Sequence, residues 1–193
     1  MLYICSMRPQ KVLDKEIIDG LTQVFRTKGY EGASLKELAE VTGLKKASLY
    51  HRFPNGKEEM ASAVLSNSVK WGEEVLFEAL ANEEDTPKKR LKQGLAHIRS
   101  IYKGGEESCV FRAMSMQTGL ELFETQLHDG MGKWVKAFKD LGLAFGLTAK
   151  TAADFAEQTL IDIQGSLVVT KCMGDTSIFD KALKRIENRY INN

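Results

Sequence analysis

The segment from Ser34 to Lys57 contains two short helical patterns separated by a glycine, and it constrains the fold more than any other part of the chain. Ser34 is followed three residues later by Glu37, which is the spacing of a capping box and predicts that a helix begins here. Apolar residues then recur at helical spacing until Thr42. The next residue, Gly43, permits the positive φ of a turn, so the first helix is expected to end there.

A second helical pattern follows this turn. Its apolar positions are Ala47, Leu49, Tyr50 and Phe53. The pattern ends at Pro54-Asn55-Gly56, which blocks helix continuation and favours a turn. Two helices of about two turns each around a glycine turn are typical of a helix-turn-helix, whose second helix can enter a DNA major groove. We therefore predict a helix-turn-helix motif over residues 34–53.

The charge of this segment also favours DNA. The charged residues between 45 and 57 are all basic, with a histidine beside them: Lys45, Lys46, His51, Arg52 and Lys57. The whole chain carries a net charge of only +1, so the indication rests on this local patch. At the front of the second helix, Lys45, Lys46, Ala47 and Ser48 are expected to face base edges. The alternative is a basic helical hairpin in an ordinary bundle, with solvated lysines.

Composition sets the class of protein. A chain of 193 residues with 43% hydrophobic and 27% charged residues can bury a core. Cys5, Cys109 and Cys172 are far apart and form no C-x-x-C pair, which argues against a structural zinc site or a disulfide framework. We expect no metal and no cofactor. The first seven residues are too short for a signal peptide and no apolar run approaches a membrane span, so a cytoplasmic protein without membrane contact is expected.

The remaining chain shows helical periodicity throughout. We predict about nine helices and no strand, hence an all-α fold, with helices at about 9–28, 35–42, 45–53, 57–80, 87–103, 108–118, 120–141, 151–171 and 179–190. The expected organisation is a DNA-binding domain over residues 9–56 and a second domain over 57–193. The helix over 57–80 would connect the two.

These residues also carry a resemblance to a known family. The run GYEGASLKELAEVTGLKKASLYHRF, from Gly29 to Phe53, followed by KEEM from Lys57, resembles the DNA-binding domain of the tetracycline-repressor (TetR) family of bacterial transcription regulators. The likeness covers about the first 60 to 70 residues. The FPNGK linker after the second helix is similar to the branch that includes lincomycin-resistance repressors. Gly20 departs from the pattern, since the family more often has alanine there.

The resemblance implies a regulator, most simply a repressor, that binds a palindromic operator as a homodimer and is released by a small hydrophobic effector. The last two long helices would pair with their symmetry mates, although their apolar stripes are equally explained by intramolecular core packing. Side chains that position phosphates are expected to be Ser34, Lys36, Tyr50, His51 and Lys57. The Tyr50 ring could instead pack as core.

For the effector, aromatic, thioether and polar residues between the fourth and eighth helices are candidates. They are Trp71, His97, Phe111, Met114, Gln117, Phe123, Trp134, Phe138 and Gln164. His97 and Gln117 are the expected polar anchors, because polar groups inside a helical bundle need partners. Ordinary core packing is the alternative for each residue.

Enzyme motifs are absent from the sequence. His51, His97 and His128 are widely separated, and neither H-E-x-x-H nor G-x-S-x-G occurs. Gly104-Gly105 is not followed by the lysine and hydroxyl pair of a phosphate-binding loop. We therefore expect that this protein is not an enzyme. Two further alternatives stay open at this point: a helical DNA-associated or interaction protein without effector control, and a helical enzyme whose distant residues meet in the fold.

Overall fold

Nine helices account for nearly all of the chain in the computed structural model, which describes residues 10–192 and the side chains of residues 14–192. The helices are α1 Gln10–Gly32, α2 Leu35–Thr42, α3 Lys46–Arg52, α4 beginning as Lys57–Trp71, α5 Pro87–Ile101, α6 Val110–Met114, α7 Gln117–Ala144, α8 Ala149–Met173 and α9 Ser177–Ile191. No strand occurs within these described residues. The predicted all-α class is therefore confirmed, while the predicted domain start at Pro9 lies outside the described residues.

The local sequence features that predicted the second helix and its turn are present in the structure. The backbone N–H of Glu37 donates to the Ser34 hydroxyl at 3.2 Å, and the N–H of Ser34 donates to the Glu37 carboxylate at 3.2 Å, so the capping box is present. Gly43 adopts the left-handed conformation with φ of 64° and ends α2. The fully buried Leu38 and Leu49 join the apolar face of α1, which holds α2 and α3 in a fixed relation.

Helix α1 changes direction at Gly29. The sequence predicts that α1 ends near Lys28, whereas the structure continues it to Gly32 with a non-helical Gly29 inside, at φ of 69° and ψ of −176°. A Cβ atom at Gly29 would lie 2.9 Å from the carbonyl oxygen of Ala113 in α6. Glycine is needed here for the backbone conformation and for the close approach of α1 to α6.

Helix α4 runs from the helix-turn-helix into the rest of the molecule. The backbone stays helical from Lys57–Trp71 through a π-helical stretch, Gly72–Phe77, and a last turn, Glu78–Ala81. At its far end, the buried Arg90 side chain donates from Nε to the carbonyl oxygen of Leu80 at 2.6 Å. This bond satisfies an acceptor that a helix C-terminus leaves unpaired.

Polar contacts join α4 to α7 along its length. Gln126 of α7 accepts from the Ser62 hydroxyl at 3.2 Å and donates to the Ser66 hydroxyl at 3.3 Å. About two turns further along, Lys133 donates to the Glu73 carboxylate at 2.5 Å. Since these side chains are partly exposed, the α4–α7 contact is held in part by bonds that water can replace.

Helices α7, α8 and α9 pack together at the end of the chain. Their shared core contains an aromatic cluster in which the buried Tyr190 ring contacts Phe138, Phe145 and Phe155, with ring centres 5.5 to 6.3 Å apart. The Tyr190 hydroxyl donates to the carbonyl oxygen of Phe138 at 3.4 Å. Arg189 forms an ion pair with Asp162, which ties α9 to α8.

Among the helices that the structure describes, none combines the length and the apolar character that a membrane-spanning helix needs.

Candidate nucleic-acid interface and ligand cavity

The N-terminal end of α3 is an exposed, basic surface. Lys45 is the extended residue before the helix, with φ of −66° and ψ of 147°, and the helix begins at Lys46. The four side chains predicted to face bases, those of Lys45, Lys46, Ala47 and Ser48, are all exposed. The next residue, Leu49, is fully buried and fixes α3 to the core. The helix therefore presents its first turn outward on a packed support, which is the arrangement that base readout in a major groove requires.

Most of the side chains predicted to position phosphates surround this surface. Lys36 is largely exposed and only loosely paired with Glu40, at 3.9 Å. His51 is exposed. Tyr50 is also exposed, with 38% of its surface accessible, and this exposure favours a surface position of its ring over core packing. Ser34 is exposed but already accepts the cap hydrogen bond from Glu37. Their contacts with DNA stay a prediction.

Lys57 has a different environment from the other candidates. Its ammonium group donates to the carbonyl oxygens of Tyr30 at 2.9 Å and Ala33 at 3.3 Å, and it lies 4.4 Å from the centre of the Tyr30 ring. The residue is half-buried, so its charge stabilises the junction between α1 and α4. A contact of this ammonium with phosphate remains a prediction, and any substitution will also affect stability.

Arg52 joins the basic patch to α1. The sequence shows no carboxylate near Arg52 along the chain, but the fold pairs its guanidinium with Asp14 of α1. This ion pair holds the last turn of α3, so Arg52 contributes to the position of the helix. No local sequence signal predicts it, because the partners are separated by 37 intervening residues and belong to different helices.

A cavity of about 1040 Å³ lies between α1, α4, α5, α6, α7 and α8. Five of the nine predicted ligand-binding residues line it: Trp71, His97, Phe111, Trp134 and Gln164. Seven residues of α1 that the sequence prediction did not include also line it: Asp14, Lys15, Ile18, Asp19, Thr22, Gln23 and Arg26. The sequence placed α1 entirely within the DNA-binding domain, so its contribution to the cavity was missed.

The other four predicted residues lie outside the cavity lining. Met114 and Phe123 are buried core residues, and the Phe123 ring meets the Tyr30 ring edge to face at 5.4 Å. Phe138 belongs to the aromatic cluster around Tyr190. Gln117, expected as a polar anchor, is exposed at the start of α7, where its φ of 43° marks a sharp turn of the backbone. Gln164 instead supplies a polar group to the cavity.

The comparisons with known proteins agree with this geometry. Residues 17–64 match the family model of bacterial regulatory proteins of the tetR family. The chain is 26% identical over 183 residues to an uncharacterized HTH-type transcriptional regulator in the lacX 3' region of Lactococcus lactis subsp. lactis, covering 91% of this chain and 92% of that protein. The HTH-type transcriptional regulator LmrA of Bacillus subtilis is 21% identical over 165 residues, covering 81% and 85%.

Residues 17–64 of this chain are a DNA-binding domain of the TetR family. The fold of the chain matches the crystal structure of a TetR transcriptional regulator from Legionella pneumophila with a TM-score of 0.80 at 18% identity, covering 95% of this chain and 98% of the other. A TetR regulator from Rhodobacter sphaeroides gives a TM-score of 0.79 at 16% identity, covering 92% and 98%. The family-model match over residues 17–64 and the regulator relatives show that the chain is a DNA-binding transcriptional regulator and not an enzyme.

Helix α6 contacts both the cavity and the kink of α1 at Gly29. Phe111 of α6 lines the cavity, and its ring lies so close to Gly130 of α7 that a Cβ there would be only 2.3 Å away. Two residues later, Ala113 meets the α1 kink at Gly29. On the same side, the Glu31 carboxylate accepts from the backbone N–H of Gly119 at 3.1 Å. A displacement of α6 would therefore act directly on α1.

Proposed function

We propose that this regulator is a repressor that binds a palindromic operator as a homodimer and leaves it when a small, largely hydrophobic effector occupies the cavity. The observation that carries the proposal is the shared use of α1 and α4 by the cavity and by the helix-turn-helix. Ile18 of α1 and Trp71 of α4 line the cavity. Helix α1 also packs against α2, and α4 packs against α1 and begins five residues after the end of α3. A ligand that moves either helix would move the DNA-reading surface.

The proposed organisation follows the sequence prediction. Residues 9–56 would serve as the DNA-binding domain, and residues 57–193 would hold the effector and form the dimer. Base contacts are assigned to the first turn of α3, where the exposed Lys45, Lys46, Ala47 and Ser48 project from a buried support. Ser34, Lys36, Tyr50, His51 and Lys57 are assigned to phosphates.

An exposed apolar surface on α8 supports the homodimer. Ile161 and Met173 are 61% and 69% exposed, and Val168 and Val169 lie between them on the same helix. The small Gly165 leaves open space within 4 Å of its Cβ position, so a second helix can approach here closely. A twofold axis that pairs α8 and α9 with their symmetry mates would cover these residues and place the two α3 helices about 34 to 36 Å apart, one turn of DNA.

The proposed release mechanism is a shift between two conformational populations. An effector that favours the state with wrongly spaced α3 helices lowers operator affinity, and operator DNA then lowers effector affinity by the same factor. The π-helical stretch Gly72–Phe77 supports α4 as the moving element, because π-helical turns are rare and occur often at functional sites. Val75 of this stretch lines the cavity.

A binding selection on fragmented genomic DNA with the purified protein tests this proposal. We expect enrichment of one palindrome, bound at least about 10³-fold more tightly than random DNA at the same salt concentration. A titration of affinity against salt on that site then counts the phosphate contacts. Equal, weak binding of all fragments would refute specific operator recognition.

A further inference from the structure

Part of the cavity lining is a polar cluster contributed by separate elements. Arg26 of α1 pairs with Glu107 at 3.5 Å, and Lys103 donates to the same carboxylate at 2.9 Å. Tyr102 and Gln164 line the cavity next to this pair. The Lys103 hydrogen bond, together with the charge of Arg26, lowers the pKa of Glu107, so this carboxylate stays ionised and balances the guanidinium.

Two buried polar atoms of this cluster have no hydrogen-bond partner among the described residues. They are Nε of Arg26, which is a donor, and Oε1 of Gln164, which is an acceptor. Both side chains lie near the buried Tyr102 hydroxyl. Burial is the main cause that raises the pKa of this hydroxyl, and Arg26 and Gln164 oppose the rise. A buried donor and acceptor without partners are costly to the folded state, so a ligand that satisfies both gains affinity.

The chemistry of the two atoms restricts the polar group that fits. A group that satisfies both must accept a hydrogen bond from Arg26 and donate one to Gln164. A carboxylate can accept from Arg26 but cannot donate to Gln164, so Oε1 would stay without a partner. An ester or ether can accept but not donate. A carboxamide or an alcohol can do both.

One part of the remaining lining is apolar and consists of Trp71, Phe111, Met131 and Trp134. Charged side chains line the cavity elsewhere, namely those of Asp14, Lys15, Asp19, Lys70 and Glu74. Aromatic rings and a flexible thioether favour contact with an apolar body.

We propose that the effector is an uncharged amphipathic molecule with one hydroxyl or carboxamide head and an apolar body. The head accepts from Nε of Arg26 and donates to Oε1 of Gln164, while the body packs against the apolar part of the lining. This inference rests on the proposed function, because it assigns the chemistry of the effector that the proposed regulator recognises.

A matched series of three compounds tests the inference: octanamide, methyl octanoate and octanoate. The chain has two tryptophans, and both line the cavity, so intrinsic fluorescence reports binding without a label, and the three compounds do not absorb in the same range. We expect octanamide to bind at least 10-fold more tightly than methyl octanoate or octanoate. Equal affinities, tighter binding of octanoate, or no fluorescence change with any compound would overturn the inference.

Two variants test the roles of the named atoms. Arg26→Lys keeps the positive charge beside Glu107 but removes Nε, and Gln164→Met keeps the size of the side chain but removes Oε1. We expect Gln164→Met to bring the preference for octanamide over methyl octanoate below threefold while the affinity for methyl octanoate stays unchanged, because only the amide donates to Oε1. We expect Arg26→Lys to weaken the binding of both compounds, because both carbonyl oxygens accept from Nε. A preference that persists in Gln164→Met, or unchanged affinities in Arg26→Lys, would contradict the assignment.

Operator affinity measured on the same samples separates this inference from the proposed function. If the wild-type protein binds its operator specifically but shows no preference for octanamide, the head-group assignment fails and operator recognition stands. If it binds no operator, the proposed function fails, whatever the compounds do.

Discussion

Lys57 and Tyr30 form a contact that joins the start of α4 to the end of α1. The ammonium group of Lys57 donates to the Tyr30 carbonyl oxygen at 2.9 Å and lies 4.4 Å from the centre of the Tyr30 ring. The ring in turn meets Phe123 of α7 edge to face. A single lysine therefore connects α4, the helix that follows α3, to the segment just after the kink at Gly29.

Substitution of Lys57 tests this contact. We expect Lys57→Met to lower the free energy of unfolding by about 1 to 3 kcal/mol, because two carbonyl oxygens lose a charged donor and the ring loses its cation. Binding to matched and scrambled DNA should weaken alike, and the salt dependence should fall by about one phosphate contact. Chemical denaturation measures the change in stability, and a salt titration measures the change in phosphate contacts.

Lys36→Met is the matched control, since Lys36 is largely exposed and its substitution should leave stability within about 0.5 kcal/mol. Equal stability of the Lys57 variant and the wild type would show that the contact does not stabilise the junction.

Lys46 tests the assignment of base contacts. We expect Lys46→Ala to reduce discrimination between the selected operator and its point variants by about 1 to 3 kcal/mol per contact, because the exposed side chain projects from the first turn of α3. Competition binding with a panel of operator variants measures the change. Lys88→Ala removes an exposed lysine at the start of α5 and should change nothing. A uniform loss of affinity across the panel would assign Lys46 to phosphate instead.

Gly29 tests the close packing of α1 on α6. An alanine there would require a positive φ and would place its Cβ 2.9 Å from the Ala113 carbonyl oxygen. We expect Gly29→Ala to destabilise the protein by about 1 to 3 kcal/mol or more. Gly32→Ala is the control, because it meets only the Lys28 side chain at 3.4 Å and has no positive φ. Thermal unfolding of both variants checks the contrast, and similar melting temperatures would contradict it.

Ile161 tests the proposed dimer face. Its side chain is 61% exposed in a single chain, so Ile161→Glu should leave the fold intact while introducing a charge into an apolar interface. We expect the variant to become monomeric and to lose operator affinity at least 10-fold. Leu120→Glu changes a residue of α7 that is 47% exposed and should remain dimeric. Size-exclusion chromatography with light scattering measures the mass; a dimeric Ile161 variant would place the interface elsewhere.

The lowered pKa of Glu37 predicts that the stability of the fold depends on pH. Hydrogen bonds from Ser34, aided by the charge of Lys28, lower the pKa of Glu37 from its usual value of 4.5. A lowered carboxyl pKa means that the ionised form stabilises the fold above pH 4.5 and that this contribution is lost as the pH falls through the lowered pKa. Unfolding of the wild type and of Glu37→Gln from pH 6 to pH 3 should show a difference that shrinks toward acid. A stability difference between the two proteins that grows as the pH falls would contradict this prediction.

The helix-turn-helix could be predicted from sequence because its determinants are local. The capping box of Ser34 and Glu37 spans three residues, and the turn depends on Gly43 alone. Lys46 is charged and occupies the first position of α3, so its exposure is expected from the local sequence. Each of these signals acts within one or two helical turns, so the tertiary structure did not need to be known.

The cavity could be predicted only in part, because helical spacing does not separate a cavity wall from a packed core. Phe111 and Phe138 were chosen by the same criteria, yet the first lines the cavity and the second packs against Tyr190. Arg26 was missed because its partner, Glu107, lies 81 residues away and is brought near only by the tertiary fold. The π-helical stretch of α4 was likewise not predicted, because capping residues, apolar periodicity and turn residues do not indicate it.

The most direct test of a dimeric operator-binding regulator is the spacing of its half-sites. Affinity is measured for the selected operator and for versions with 5 or 10 base pairs inserted between its halves. Since a rigid dimer holds its two α3 helices about one turn of DNA apart, both insertions should reduce affinity at least 10-fold, and the 5-base-pair insertion also turns the half-sites to opposite faces. Unchanged affinity for both insertions would show that each half-site is bound independently, and it would contradict the account.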